Sequence, residues 1–194
     1  MKKFLLILFL FLFIVICGLV IYFSLTTEVT KNLDSYIYEL PFKEGTRQKV
    51  VQGYGRMFSH KHKAALDFNM KEGTPIYAAR EGVIYSFKDD SDEGGPFPSY
   101  QNKANYIIVK HDDGSFGCYW HLKKNGVAIK KGKVSRGQLI GYSGSTGFVL
   151  RGHLHFAVKR KLTYEKDSFV RTRFKTTKGI LLLKKGEVYE RPDD

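Results

Sequence analysis

The sequence predicts an all-β domain of antiparallel strands, preceded by one N-terminal transmembrane helix. Three observations carry this expectation. Behind Lys2 and Lys3 lies an uncharged run of 22 residues, Phe4 to Leu25, which as a helix would span about 33 Å against a hydrocarbon core about 30 Å thick. From Lys49 onward, short runs rich in β-branched and aromatic residues alternate with Gly, Pro, Asn and Asp turn signals. Beyond the apolar run, no stretch sustains a helical apolar period over three turns.

Taken in order, residues 1–25 read as an uncleaved membrane anchor. A cleaved signal peptide would carry an apolar region of roughly 7–15 residues and a small-residue cleavage site, whereas Tyr22, Phe23 and Leu25 crowd that place. Cys17 follows the bulky Ile16, which argues against a lipid-modified cysteine. The positive-inside tendency leaves Lys2 and Lys3 in the cytoplasm and the remainder in the periplasm or on the extracellular side. Residues 26–45 read as a stalk and lead-in, with Leu40-Pro41-Phe42 and a turn at Lys43-Glu44-Gly45. A lead-in next to a site could fold across it and gate activity.

Residues 46–194 form one domain, large enough for a core of its own. Its candidate strands are Ala64–Met70, Pro75–Ala79, Gly82–Phe87, Tyr106–His111, Phe116–Leu122, Gln138–Tyr142, His153–Lys159, Arg171–Thr176 and Gly179–Leu183. Turns are expected at Glu72-Gly73-Thr74-Pro75, Asp112-Asp113-Gly114, Asn125-Gly126 and Lys131-Gly132. The acidic insertion Lys88–Lys103 lacks the ligand spacing of an EF-hand and reads as a mobile loop on the rim of a site. Glu72–Val83 and Lys131–Gly144 share a Gly-then-β cadence that suggests a duplicated hairpin.

Of the formal charge of +13, the two anchor lysines account for 2, leaving +11 on the exported portion. Such a balance suits an anionic polymer, for which cell-wall material is the natural candidate; nucleic acid is not an expected partner outside the cell. Cys118 is the one cysteine outside the anchor, so no disulfide can form within the domain. Packing must hold the fold, assisted by any metal it binds.

All six histidines lie between residues 60 and 155. In Gly152-His153-Leu154-His155-Phe156, the strand period of two puts both imidazoles on one face and Leu154 and Phe156 on the other. A catalytic metal site typically needs three protein ligands and an open position, and a His-His-carboxylate set is one established solution. Asp67, on the polar face of Ala65-Leu66-Asp67-Phe68-Asn69-Met70, is the candidate carboxylate. The same residues allow a blander reading, a solvent-facing Asp and a buried structural His pair.

The chain resembles the lysostaphin/LytM-type zinc metallopeptidases, many of which cut peptide bonds in peptidoglycan. The resemblance runs from about Leu40 to Pro192. It rests on Gln52-Gly53-Tyr54, Phe58-Ser59-His60, Ala65-Leu66-Asp67-Phe68, Glu72-Gly73-Thr74-Pro75, Ala78-Ala79-Arg80-Glu81-Gly82, Tyr119-Trp120-His121-Leu122, Ser143–Gly147 and His153-Leu154-His155-Phe156. It implies an antiparallel β-sandwich-like duplicated hybrid motif with an open groove, Zn2+ bound by His60, Asp67 and His155, and catalytic roles for His121 and His153. Many members place three residues between the first His and the Asp; here His60 leaves six and His62 four. His60, in its Phe-Ser-His block, is the preferred first ligand and His62 the alternative, while His111 is expected to close a strand.

The reaction implied is hydrolysis of peptidoglycan peptide cross-links by zinc-activated water, one of His121 and His153 carrying the proton and the other binding the oxyanion. The chain has no His-Glu-x-x-His glutamate for that role. A second reading is a non-catalytic wall-binding or regulatory module that activates other cell-wall hydrolases, with hydrolases or divisome proteins as partners. Cleavage of a secreted protein is a third, and the anchor disfavours a diffusing toxin.

Overall fold

The computed structural model describes residues 8–19, 32–55, 60 and 63–193. Residues 8–19 are helical. Among the described residues no helix is long and apolar enough to cross a membrane. Both ends of the predicted transmembrane run, Phe4–Leu25, lie outside the described residues.

The remainder is a β fold. Its strands are β1 (Leu33–Glu39), β2 (Arg47–Gln52), β3 (Ala65–Phe68), β4 (Pro75–Tyr77), β5 (Gly82–Lys88), β6 (Gly94–Gly95), β7 (Asn105–Lys110) and β8 (Phe116–Val127). They continue as β9 (Lys133–Val134), β10 (Leu139–Ser143), β11 (Gly147–Phe148), β12 (Leu154–Lys159), β13 (Phe169–Thr176), β14 (Gly179–Leu182) and β15 (Val188–Glu190). The central order is β15-β2-β3-β12-β8-β7-β5-β9, with β4 and β10 joined to β8 and with β1 and β14 flanking β13. Pairing is antiparallel apart from β1 with β13 and β6 with β11.

Alternation sorts the side chains as the sequence leads one to expect. Leu66 and Phe68 of β3, Leu154, Phe156 and Val158 of β12, and Tyr119 of β8 enter the main core. Ala65, Ala157 and Phe169 lie in a smaller cluster with Trp120 and Tyr54 packed against it. Burying each large apolar side chain contributes about 1.5–3 kcal/mol, so the main core anchors the sheet and leaves the other face for chemistry.

The lead-in departs from expectation. Its described part supplies β1, which pairs in parallel with β13, and Tyr38, Leu40 and Phe42 are fully buried in the main core. Tyr38 packs against Phe156 and Phe174, the side of β12 opposite His155. Residues 33–45 are therefore built into the fold and do not lie across the site. Their alternation was broken by Leu40-Pro41-Phe42, which hid a strand paired with a partner over 130 residues away.

The insertion also differs from a loose rim loop. Its β6 pairs with β11, and Glu93 O and Gly95 O accept hydrogen bonds from Gly147 N and Val149 N, both at 2.9 Å. Its carboxylates are matched to lysines: Asp89 to Lys130, Asp90 to Lys88, Asp92 to Lys124 and Glu93 to Lys103. This accounts for the acidic composition without a cation. The two segments of similar cadence pair with each other, β4 with β10 and Gly82 with Val134. Asn125-Gly126, expected as a turn, lies within the long β8, where Asn125 takes φ 54°, a conformation Asn tolerates.

Candidate metal centre and active site

Three strands assemble the centre. Asp67 of β3 and His155 of β12 are directly paired across the ladder, and Trp120 of β8 stands opposite His155 on its other side. His60 enters from the segment after β2, its Nδ1 against Gly53 O at 3.0 Å. Its Nε2 then lies 3.1 Å from Asp67 Oδ1 and 3.0 Å from His155 Nδ1, which is itself 2.8 Å from the same carboxylate oxygen. His62 lies outside the described residues.

These groups meet with little water around them. His60 is fully buried and Asp67 is 4% exposed. Burial alone would raise the Asp67 pKa, but hydrogen bonds from His155 and His60 hold the carboxyl well below its usual range. Burial pushes His155 down to about 4 against the opposing pull of Asp67. A neutral His155 beside an ionised Asp67 has the ionisation a divalent metal requires of its ligands. Tetrahedral zinc ligands at ordinary bond lengths stand about 3.3 Å apart, so the observed spacing would need only a small expansion. The donors fit zinc in number and type, and among the described residues this is the one His, Cys and carboxylate group close enough to hold a metal ion.

Two further imidazoles border the centre. His121 and His153 have ring centroids 4.6 Å apart, and His121 lies 5.9 Å from His155. His121 Nδ1 meets Thr146 O at 2.7 Å and His153 Nδ1 meets Arg151 O at 2.8 Å. A carbonyl can only accept, so each Nδ1 carries a proton, and in the neutral form of either ring Nε2 holds the lone pair. His153 Nε2 stands 3.7 Å from Asp67 Oδ1, outside hydrogen-bond range. Burial, followed by the neighbouring His153 and His155, pushes His121 down to about 3.

The position of His121 depends on a bulge. Asn105 pairs with Leu122 and Tyr106 with Trp120, so one step along β7 answers two along β8 and His121 is the extra residue. Its φ of 67° is in the left-handed region, which non-glycine residues occupy sparingly and often at functional sites. Strict alternation would send His121 toward the core beside Tyr119; the bulge turns it back to the site face.

Sequence reasoning passed over the groups that hold these rings. The carbonyls of Gly53, Thr146 and Arg151 carry no side-chain signature. Thr146 is fixed in turn: its Oγ1 donates to Leu122 O at 2.7 Å and accepts from Asn105 N at 3.0 Å. Asn105, fully buried, also exchanges hydrogen bonds with the backbone of Ser91 in the insertion. His111 stands apart from the centre, 3% exposed, with Nδ1 2.7 Å from Glu81 O.

Two imidazoles and a carboxylate, close enough to hold a metal ion, thus lie on a β scaffold with two further imidazoles alongside. A sequence profile of Peptidase family M23 matches residues 60–167, and the chain belongs to that family. Peptidoglycan DD-endopeptidase ShyA of Vibrio cholerae is 40% identical over 91 residues, 46% of this chain and 18% of that protein. Cell division protein DipM of Caulobacter vibrioides is 26% identical over 113 residues, 58% of this chain and 17% of that protein. The chain thus spans about a fifth of the length of these relatives. The catalytic domain of the antimicrobial peptidase lysostaphin from Staphylococcus simulans aligns with TM-score 0.47 and 27% identity, covering 64% of this chain and 86% of that one.

Proposed function

We propose that this protein is a zinc-dependent metalloendopeptidase that hydrolyses peptide cross-links of peptidoglycan from a membrane-anchored position outside the cytoplasm. The observation that carries this reading is the division of the imidazoles: His60 and His155 converge with Asp67, while His121 and His153 stand beside them with Nδ1 turned to backbone carbonyls. Zinc held by His60, Asp67 and His155 would supply a Lewis acid and lower the pKa of coordinated water.

The chain's own residues do the rest. A neutral ring whose Nδ1 proton is given to a backbone carbonyl is a competent base at Nε2, so His121 or His153 takes a proton from the attacking water and passes it to the leaving amine. Once protonated at Nε2, the other can donate to the oxyanion. The basic surface favours an anionic wall, and the endopeptidase named among the relatives supports the substrate class. Anchoring rests on the Phe4–Leu25 run.

The test is zinc content together with muropeptide release by the full chain and by His153→Ala and His155→Ala. Stoichiometric zinc, with cleavage lost in both variants and metal lost only in His155→Ala, is the expected result. Zinc-free, inactive protein that still binds the wall would instead establish the regulatory module, a reading favoured by the likeness to a cell-division protein.

A further inference from the structure

The face of the sheet that carries the metal centre continues along β12. His155, Ala157 and Lys159 share that face, and four residues of strand put Lys159 about 13 Å beyond His155. Cross-strand, Lys159 pairs with Phe116 on one side and Phe169 on the other. It is 2% exposed, and its ammonium lies over two rings, 4.5 Å from the centroid of Phe169 and 4.6 Å from that of Tyr164.

A second ammonium comes to the same ring. Lys63 Nζ lies 5.5 Å from the Tyr164 centroid, and Lys63 sits between the ligands His60 and Asp67 in the chain. The lysines of the insertion each have a carboxylate partner; among the described residues neither Lys63 nor Lys159 is paired with one. Burial lowers both ammonium pKa values, that of Lys63 against the opposing pull of the Asp67 carboxylate, and Lys63 further lowers that of Lys159. The adjacent Cys118 thiol supplies no counter-charge, since burial pushes it up to about 12. Two cations that repel one another and share a single aromatic ring, with no carboxylate in direct contact among the described residues, are a costly arrangement. Tyr164, 69% exposed, is the element that can yield its place.

We propose that Lys63 and Lys159, with Tyr164 as a displaceable cover, form a subsite for a carboxylate of the peptide substrate, three to four residues along an extended chain from the bond at the metal centre. The class of substrate selected is a wall peptide with a free terminal or side-chain carboxylate at that remove, in preference to the same peptide with a carboxamide. This rests on the endopeptidase reading for its cleavage arm and not for its binding arm. A charge-assisted hydrogen bond contributes about 1.5–3 kcal/mol, which corresponds to a preference of roughly tenfold to hundredfold.

The test uses the zinc-loaded full chain and two synthetic wall peptides that differ only in a C-terminal carboxylate or carboxamide. Binding is measured by calorimetry and cleavage separately, for the wild type, Lys63→Gln and Lys159→Met, the last retaining an apolar stem between Phe116 and Phe169. The expected result is tighter binding of the acid by at least tenfold, a preference lost in both variants with zinc content unchanged. Equal affinity for acid and amide, or a preference that survives in Lys63→Gln, overturns the subsite. Should Lys159→Met fail to fold, Lys63→Gln decides alone. An acid preference that disappears in Lys63→Gln in a chain that cleaves neither peptide upholds the subsite and removes the endopeptidase reading.

Discussion

Two histidines one residue apart, His153 and His155, are held differently because their ring nitrogens meet different partners. His155 gives Nδ1 to the centre beside Asp67, whereas His153 spends Nδ1 on Arg151 O. Replacing His60, Asp67 or His155 by Ala is therefore expected to abolish both metal binding and hydrolysis. His121→Ala and His153→Ala should keep the metal and lose about 10²–10³ in kcat, as metal analysis and turnover on the same samples would read. His111 carries a different consequence. Burial holds its pKa below the ordinary value near 6.5, so below that pH the unfolded chain takes up a proton that the folded one refuses. Stability then falls as pH drops from about 6.5 toward the folded pKa. His111→Gln should flatten the dependence of the thermal midpoint between pH 7.5 and 5.5, and an unchanged slope would refute this.

At the scale of elements, the insertion and the loop after β10 act on the site through backbone. Thr146 O orients His121, and Asn105 ties Thr146 to Ser91 of the insertion. Asn105→Ala should lower kcat by about tenfold to hundredfold with KM and zinc content nearly unchanged, since small displacements of a catalytic group are that costly. Gly94 reports on the same junction: a Cβ there would stand 1.8 Å from Ser145 O, so Gly94→Ala must move β6 away from β11 and should act in the same direction. The β1 strand makes a complementary case. A chain beginning at residue 46 would lack Tyr38, Leu40 and Phe42, each contributing about 1.5–3 kcal/mol against a total stability of about 5–15 kcal/mol. It is expected to be unfolded by circular dichroism, whereas a chain beginning at residue 32 retains the strand and should fold.

For the whole molecule, the formal charge of +13 makes the proposed wall binding a salt-dependent property. Retention on isolated peptidoglycan should weaken steadily as ionic strength rises and the Debye length shrinks from about 10 Å at 0.1 M. Retention indifferent to salt would point to recognition through apolar or hydrogen-bonding contacts instead. The proposed anchor makes a separate prediction: the full chain should stay with membranes through alkaline washing, and a chain lacking residues 1–25 should not.

The sequence by itself determined the β character, most of the strands from β3 to β14 and their inward residues, because alternation and turn chemistry are local properties of neighbouring residues. Metal chemistry, which restricts the side chains that can serve, also brought forward Asp67, His153 and His155, and the family resemblance added His60 and His121. The tertiary structure decided what depends on distant backbone. Leu33–Glu39 became a strand through parallel pairing with β13, a partner remote in sequence and invisible to a local pattern. His121 reached the site face through a bulge that reverses the alternation of β8. The tautomers of His121 and His153 follow from the carbonyls of Thr146 and Arg151, and Nδ1 of His60 meets the carbonyl of Gly53, groups that every residue possesses and only the folded chain brings to a particular ring.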